Sequence, residues 1–165
     1  MPKSFAPVAD KNTKILIVGS MPGEASLRAA EYYAYKYNMF WPIIYKLFSP
    51  RRAPQSYEEK LKLLLSNGLG LWDSLAACSR KGSADGNIKE EKPNDFKTLY
   101  NKYPQIKKVL FNGQAAYKYY FKYFEAEESK EYRLMPSTSP AAATKTFEEK
   151  FEIWKRELVC PKVSR

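Results

Sequence analysis

Residues 14–23 read Lys14-Ile15-Leu16-Ile17-Val18-Gly19-Ser20-Met21-Pro22-Gly23 and hold the longest apolar strand core of this chain. An unbroken apolar run of this length is typical of a strand that is buried on both faces. Met21-Pro22-Gly23 predicts a turn, and residues 24–33 are predicted to form a helix. A buried strand that turns directly into a helix is characteristic of a parallel α/β architecture.

The rest of the chain repeats this alternation of strand and helix. Further strands are predicted at 69–73, 107–112 and 132–135, helices at 40–48, 56–66, 93–103, 114–124 and 141–158, and a polar loop at 80–94. The pattern favours an α/β fold: a three-layer α/β/α sandwich around a central four-stranded parallel sheet. With 165 residues, the chain is predicted to form a single domain over residues 14–160 after a loose N-terminal lead-in at 1–13.

Composition narrows the possible chemistry. Lys and Arg number 28 against 18 Asp and Glu, a net charge of +10, which favours an anionic partner and nucleic acid above all. Histidine is absent, which excludes Ser-His-Asp triads, Cys-His dyads and zinc sites that need histidine. Cys78 and Cys160 are too few for a four-cysteine metal site or a disulfide framework. We therefore expect a cytoplasmic location, and the apolar runs are too short to predict a membrane segment.

Ligands of parallel sheets bind beyond the carboxyl ends of the strands, so the residues that follow the strands are site candidates. Gly19, Ser20 and Met21 form a turn that either directs backbone N–H groups at an anion or simply joins strand to helix. Asp73 ends the second strand. Its carboxyl can accept a hydrogen bond from a ring N–H, donate one if it is protonated, or cap the turn that follows.

Two other polar segments carry similar alternatives. Residues 136–140, Pro-Ser-Thr-Ser-Pro, are rigid and rich in hydroxyl groups, so they either contact phosphates from a minor groove or cap the last helix. Asn38 lies in a predicted loop between the aromatic residues 32–37 and Phe40-Trp41. Its carboxamide can hold a water, read a base edge or cap the next helix.

Two further segments are more ambiguous. Arg51 and Arg52, with Lys60 and Lys62, form a basic cluster that either contacts a DNA backbone or is simply solvated. Residues 117–124 are dense in aromatic side chains and could serve as a platform for stacking bases. Aromatics around a helix beside a sheet are more often packing, and we predict packing here.

In this order, the segments resemble the uracil-DNA glycosylase superfamily, and most closely its deoxyinosine (hypoxanthine) branch, over about residues 14–154. The resemblance is carried by Gly19–Gly23 with Ala25-Ser26-Leu27, Tyr32–Ala34, Asn38–Trp41, Leu71–Asp73 with Cys78, Phe111–Gly113 and Pro136–Ala141. It implies an α/β/α domain that flips a damaged base out of double-stranded DNA and hydrolyses its N-glycosidic bond without a metal or cofactor. We expect the enzyme to be a monomer.

The resemblance also implies roles for individual residues. Asn38 matches the catalytic residue; the base pocket takes in Gly19, Ser20, Met21, Tyr33, Phe40, Asp73 and Asn112; and the DNA-binding set comprises Pro136, Ser137, Thr138 and Ser139, to which we add Arg51 and Arg52. Tyr33 would stack on the base. Met21 departs from most branches, which have Asn or Asp at this position. Tyr35-Lys36-Tyr37 replaces a common His-Pro-x run, and the second motif lacks a histidine.

The expected substrate is hypoxanthine, because inosine opposite thymine pairs poorly and is therefore extruded at lower cost. Two alternatives remain open at this point. One is a glycosylase that acts mainly on uracil or on mismatches. The other is a non-catalytic DNA-binding domain of the same fold, which the net charge and Met21 fit equally well.

Overall fold

A computed structural model describes residues 1–159; Cys160 and the end of the predicted domain lie outside the described residues. The strands are β1 (Ile15–Gly19), β2 (Leu69–Asp73), β3 (Leu75–Ser79), β4 (Lys89–Pro93), β5 (Lys108–Asn112) and β6 (Glu131–Met135). The central sheet has the order β2-β1-β5-β6, and all of its pairings are parallel. The predicted four-stranded parallel sheet is confirmed.

Helices cover both faces of this sheet. They are α1 (Glu24–Ala29), α2 (Phe40–Phe48), α3 (Tyr57–Ser66), α4 (Phe96–Lys102), α5 (Gln114–Tyr123) and α6 (Phe147–Leu158). Ile15 and Ile17 pack with α2, α3 and α6, whereas Leu16 and Val18 pack with α4 and α5. The apolar run of β1 is therefore buried on both sides, and the three-layer architecture is confirmed. No helix within residues 1–159 is both long and apolar enough to cross a bilayer.

The aromatic helix α5 is mainly a packing element, as predicted. Tyr120 is 1% exposed, and its ring contacts Phe96 and Phe111 at centroid distances of 4.8 and 5.0 Å. Its hydroxyl lies 2.8 Å from that of Tyr100, so each buried oxygen has a hydrogen-bond partner. This cluster fills the layer between the sheet and α4.

The prediction of loop at residues 80–94, with only a turn at 75–77, is wrong in part. β3 and β4 pair as an antiparallel ribbon outside the main sheet. β4 reads Lys-Glu-Glu-Lys-Pro, which has no apolar alternation that would indicate a strand. Pairing with β3 rather than local preference makes it a strand, and the loop between them, residues 80–88, extends to the rim of the central sheet.

Three predicted helix boundaries are also wrong; one is the start of α4, which begins at Phe96 rather than at residue 93 because Pro93 pairs with β3, and the other two are the end of α1 and the start of α6. α1 ends at Ala29 rather than at residue 33, because Ala30 adopts a left-handed conformation with φ 54°. α6 begins at Phe147 rather than at residue 141, since Thr146 and Glu149 form a reciprocal capping box. Both shifts leave irregular backbone, at 30–39 and 136–146, beside the carboxyl ends of the strands.

The N-terminal lead-in is ordered, so the expectation of a loose segment is wrong. Val8 exchanges two backbone hydrogen bonds of 2.8 Å with Leu71, and the Ser4 amide donates to the carbonyl of Ala76 at 2.8 Å. The Trp72 indole donates to the Phe5 carbonyl at 3.0 Å. The segment thus pairs with β2, the terminal strand of the sheet, whose edge would otherwise expose unpaired backbone groups.

Candidate active site

A cavity of about 530 Å³ opens at the carboxyl ends of β1, β2 and β5. Its walls come from the turn after β1, the start of α1, the segment 32–38, Asp73, residues 83–85, Asn112 and residues 137–141. β1 lies between β2 and β5, so this is the point where the strand order reverses, the usual ligand site in open α/β sheets. The volume is within the range of small-molecule sites, roughly 300–1,000 Å³.

The structure brings most of the predicted site residues to this cavity. Those that line it are Gly19, Ser20, Met21, Tyr33, Asn38, Asp73, Asn112, Ser137, Thr138 and Ser139. Phe40 does not: it is 1% exposed, and its ring lies behind Tyr33 with the centroids 4.2 Å apart. The expectation that Phe40 forms part of the pocket wall is therefore wrong; it supports Tyr33 from the core.

Three predicted DNA-binding residues also lie outside the cavity lining. The Pro136 carbonyl accepts a hydrogen bond of 3.0 Å from the Trp154 indole, which fixes the start of the hydroxyl-rich loop. Arg51 and Arg52 are exposed and follow the C-terminal end of α2, whereas Asn38 precedes its N-terminal end. A nine-residue helix spans roughly 13 Å, so the arginines lie well away from the cavity. Their contact with DNA stays a prediction.

Asn38 is oriented by its own backbone. Its Oδ1 accepts a hydrogen bond of 2.9 Å from the amide of Phe40, at the start of α2. This bond spans two residues and forms an Asx turn just before Met39, the N-cap of the helix, and Asn38 also lines the cavity. One lone pair of Oδ1 and the amide hydrogens remain for another partner. A carboxamide held in this way can position a water molecule.

The Met21 side chain cannot do the same work. It is 7% exposed and packs into a small apolar cluster with Leu75, Cys78 and Ile88. The residue therefore anchors the turn after β1 to the β3–β4 ribbon. Met21 therefore offers the cavity no polar side chain that could activate water. Asn38, a neutral amide that lines the cavity, is the candidate for that role.

Asp73 is a buried carboxyl at the end of β2. It is 4% exposed, and its Oδ2 accepts a hydrogen bond of 2.9 Å from the Ser4 hydroxyl. Burial raises the pKa of Asp73 to about 7, while the Ser4 hydrogen bond and the Arg80 charge act in the opposite direction. The group therefore changes its protonation state near neutral pH. Ser4 was missed in the sequence, because nothing local links it to a residue so far along the chain.

Gly19 makes room for this carboxyl group. A Cβ atom at Gly19 would lie 2.6 Å from Asp73 Oδ1, closer than real contacts allow, and 3.1 Å from the Tyr33 hydroxyl oxygen, a tight contact. Glycine is therefore required at position 19, the last residue of β1. Only a residue without a side chain leaves room for the Asp73 carboxyl and the Tyr33 hydroxyl at the end of this strand.

Tyr33 forms the aromatic wall and is held in an unusual conformation. Its backbone is left-handed, with φ 56°, which is costly for a residue with a bulky side chain. Its hydroxyl is buried and has no hydrogen-bond partner among the described residues. Burial, with the nearby Asp73 as a second cause, raises the pKa of Tyr33 above its ordinary value. The Asn112 side chain, which lies near this hydroxyl, acts in the opposite direction on the same pKa.

Asn112 and Thr138 hold the hydroxyl-rich loop against the sheet. The Asn112 Nδ2 donates to the Thr138 hydroxyl, and the Thr138 amide donates to Asn112 Oδ1, both at 2.9 Å. The Thr138 carbonyl accepts from the Met39 amide at 2.9 Å. Asn112 therefore lines the cavity mainly as a positioning residue, and the loop is tied to the segment that carries Asn38.

Lys150 is a second anchor of this loop that sequence reasoning missed. It is 1% exposed, and its ammonium group donates to the carbonyls of Ala142 at 2.7 Å and Ser139 at 3.4 Å. Burial lowers the pKa of Lys150. The signal was its position three residues after Phe147, on the apolar side of α6, where a lysine is unexpected.

The loop between β3 and β4 contributes a polar wall that the sequence did not indicate. The Ser20 hydroxyl donates to Asp85 at 2.6 Å, and the Glu24 amide donates to the Ser83 hydroxyl at 2.9 Å. The Arg80 guanidinium, 1% exposed, donates to the Pro22 carbonyl and lies 3.9 Å from Asp85. A buried cation therefore supports the turn after β1 from behind.

The arrangement suits a flat, polar heterocycle. Tyr33 contributes an aromatic ring, Asp73 a buried carboxyl group and Asn38 an oriented carboxamide. Ligand pockets commonly combine an apolar wall with a few convergent polar groups of this kind. A basic protein with such a cavity fits a nucleobase that is presented by a nucleic acid.

Comparisons with known proteins agree with this geometry. The family model described as the uracil DNA glycosylase superfamily matches residues 6–159. Two curated relatives are named hypoxanthine DNA glycosylase: one from Methanosarcina barkeri is 39% identical over 117 residues, and one from Methanosarcina acetivorans is 40% identical over 117 residues. Each alignment covers 71% of this chain and 74% of the relative.

A solved structure is similar as well. A solution NMR structure from Methanosarcina acetivorans, described as a candidate uracil DNA glycosylase, superposes with a TM-score of 0.79 at 36% sequence identity. The superposition covers 94% of this chain and 97% of the other. The likeness therefore extends over the sheet, both helical layers and the segments that line the cavity.

Proposed function

This chain belongs to the uracil DNA glycosylase superfamily, and on that premise we propose that it removes a deaminated base, hypoxanthine foremost, from double-stranded DNA. The observation that carries the proposal is the cavity at the strand ends, where Tyr33, Asn38 and Asp73 converge. The names of the two curated relatives support hypoxanthine as the base. The product would be free base and an abasic site.

The reaction replaces the bond between C1′ and the base nitrogen with a bond to water. As the C1′–N9 bond breaks, the base leaves with the electron pair and the sugar becomes cationic; the water oxygen then bonds to C1′. The departing base takes up a proton, and the water loses one. Groups that bind charge developing on the base therefore accelerate the reaction more than groups that merely bind the base.

Three groups of this chain divide that work. Asn38 orients the water; as a neutral amide it is a weak base, so we expect modest rates. Asp73, in its protonated form, donates a hydrogen bond to the base as it acquires negative charge, while the Tyr33 ring stacks on the face of the base. The backbone around Ser20 and Met21 completes the pocket. The DNA phosphates stabilise the cationic sugar.

Base extrusion has its own energetics. Flipping costs a few kcal/mol, and least for a base that is already poorly paired. Stacking on an aromatic ring is worth about 1–3 kcal/mol, so contact with Tyr33 offsets much of that cost. Hypoxanthine opposite thymine is therefore favoured over the same base in a stable pair. Substrate choice follows from pairing strength as well as from pocket contacts.

The proposal extends to assembly and location. We propose a monomer as the active form. Sedimentation with and without a lesion-containing duplex tests this point. We place the activity in the cytoplasm, as expected for a low-cysteine protein that acts on DNA.

A gel assay tests the function. Labelled duplexes with inosine, uracil or only ordinary bases are incubated with the protein, and alkali then cleaves any abasic site. We expect cleavage at inosine, greatest opposite thymine, and none in the ordinary duplex. Cleavage mainly at uracil would favour the second candidate, which the description of the similar solved structure supports. Salt-sensitive binding without any cleavage would contradict the proposal and favour a non-catalytic binding domain.

A further inference from the structure

Extrusion of a base leaves a gap in the duplex, and the rim of the cavity has few side chains that can fill it. Large hydrophobic residues more than a third exposed within the described chain are Met1, Tyr35, Tyr37, Tyr117, Tyr123, Leu134 and Val159. Of these, Tyr35 lines the cavity, and Tyr37 follows two residues later. The opposite rim, residues 137–143, reads Ser-Thr-Ser-Pro-Ala-Ala-Ala and has no bulky side chain.

Tyr35, Lys36 and Tyr37 form a rigid turn. The Asn38 amide donates to the Tyr35 carbonyl at 2.9 Å, which closes the turn with Lys36 and Tyr37 at its apex. The next residue, Met39, is bonded to the Thr138 carbonyl, so the turn is fixed to the opposite rim. The backbone of this turn therefore lies beside the cavity, between two of its lining residues, Tyr35 and Asn38.

The two rings support each other. Tyr35 is 49% exposed and Tyr37 is 59% exposed, and they pack edge to face with the centroids 5.5 Å apart. The Lys36 ammonium lies 4.8 Å from the Tyr37 ring centroid, a cation beside an aromatic surface. Exposed aromatic rings next to a lysine are the combination that binds stacked bases and their phosphates.

We propose that the Tyr35–Tyr37 turn enters the duplex at the gap left by the extruded nucleotide, with Tyr37 stacking on the neighbouring bases. Tyr35 supports it from the cavity side, and Lys36 contacts a flanking phosphate. Insertion of an apolar side chain between base steps is a general way to stabilise a distorted duplex. The inference rests on the proposed function, because a gap exists only if a base is extruded.

If Tyr37 fills the gap in the duplex, its removal should slow base release from a duplex but not from a single strand, and this difference gives the first test. Single-turnover base release is measured on an inosine-containing duplex and on the same strand without its complement, for the wild type, Tyr37→Ala and Tyr37→Trp. Loss of one stacking contact predicts a roughly tenfold or larger decrease for Tyr37→Ala on the duplex only, with activity retained in Tyr37→Trp. Tyr123→Ala, an exposed tyrosine on α5, is the control and leaves both rates unchanged.

A fluorescent base gives a second test that is independent of turnover. 2-Aminopurine placed beside inosine is quenched while stacked and brightens when it loses its neighbour. Wild-type protein is expected to keep it largely quenched, whereas Tyr37→Ala makes it brighten at saturating protein. Equal decreases on duplex and single strand, or no brightening in Tyr37→Ala, would overturn the proposal. Failure of the proposed function is distinguishable, because the wild type would then release no base from either substrate.

Discussion

Asp73 shows how one buried side chain can make the chemistry depend on pH. Its carboxyl lies at the end of β2, 4% exposed, with one oxygen bonded to Ser4. A charged group in such a place costs free energy because water is excluded, so the proton is retained to higher pH than on an ordinary aspartate. With a pKa of about 7, the Asp73 carboxyl is protonated in only part of the molecules at neutral pH and in most of them below it.

The pH dependence of base release tests this role. The pKa of Asp73 is raised to about 7, and the protonated form donates to the departing base, so the single-turnover rate is expected to fall as pH rises through 7. Asp73→Asn keeps a hydrogen-bond donor and should flatten the profile. A wild-type rate that rises across the same range, or an unaltered profile in Asp73→Asn, would contradict the assignment.

The same raised pKa affects stability. Between about pH 4 and pH 7 the folded state keeps a proton that the unfolded state has lost, so the free energy of unfolding falls as pH rises through that window. Asp73→Asn removes this component. Urea unfolding at pH 5 and pH 8 should show the variant gaining stability relative to the wild type at the higher pH, and no such gain would count against a buried, protonated Asp73.

Substitutions of Arg80 provide a second test of the pKa of Asp73. The charge of Arg80 opposes the rise in the pKa of Asp73, and the Arg80 guanidinium holds the Pro22 carbonyl. Arg80→Met should therefore move the fall in rate to higher pH, whereas Arg80→Lys should keep it near the wild-type value. A purely structural role would lower the rate at every pH and leave the midpoint in place.

At the scale of secondary structure, the sequence predicted the elements that have a clear hydrophobic pattern of their own. It did not predict the strands that form only because they pair with a distant segment. β1 and β2 are apolar runs next to turns, and α5 carries an aromatic face, so each was recognised. β4 is a charged, exposed strand that exists because β3 lies beside it. Such elements depend on contacts between distant residues, which local propensity does not encode.

The docking of the N-terminal segment on β2 can be tested with two glycines. A Cβ at Gly70 would lie 2.6 Å from the Val8 carbonyl oxygen, so Gly70→Ala should displace this segment and cost about 1–3 kcal/mol, the usual range for overpacking. At Gly86 nothing lies within 4 Å of an added Cβ, so Gly86→Ala should be nearly neutral. Equal midpoints of urea unfolding for the two variants would show that the segment does not contribute to stability.

At the scale of the whole molecule, the net charge of +10 determines how the protein meets DNA. Each phosphate neutralised by a cation contributes a slope of about −0.9 to the dependence of log affinity on log salt. Arg51 and Arg52 follow the C-terminal end of α2. The salt dependence of binding, measured with and without these two arginines, tests whether they contact the duplex. Arg51→Ala/Arg52→Ala should make the slope shallower by about 2.

The charge-matched control uses lysines on other helices. Lys97→Ala/Lys118→Ala removes the same net charge from exposed positions on α4 and α5. We expect the slope of this variant to stay at the wild-type value. If both double variants change the slope equally, overall charge rather than local contact governs binding, and the prediction for Arg51 and Arg52 is wrong.

The site could be predicted from the sequence where its residues follow strands, because parallel strands bring their carboxyl ends together. Asp73 and the turn after β1 were proposed in this way, Asn112 was implied by the family resemblance, and all of them line the cavity. Ser4, Arg80 and Lys150 were not, since their roles depend on tertiary contacts with residues far along the chain. Phe40 was misplaced because adjacency to Asn38 in sequence does not say which way a ring on a helix points.

The most direct measurement is the release of free hypoxanthine from an inosine–thymine duplex under single-turnover conditions, followed by chromatography, for the wild type and Asn38→Ala. The wild type should release the base, and loss of the positioned water should slow release on the order of 10²-fold or more while duplex binding is unchanged. Asn101→Ala, at an exposed position on α4, should behave as the wild type. Wild-type rates in Asn38→Ala, or no free hypoxanthine from the unaltered protein, would contradict the account.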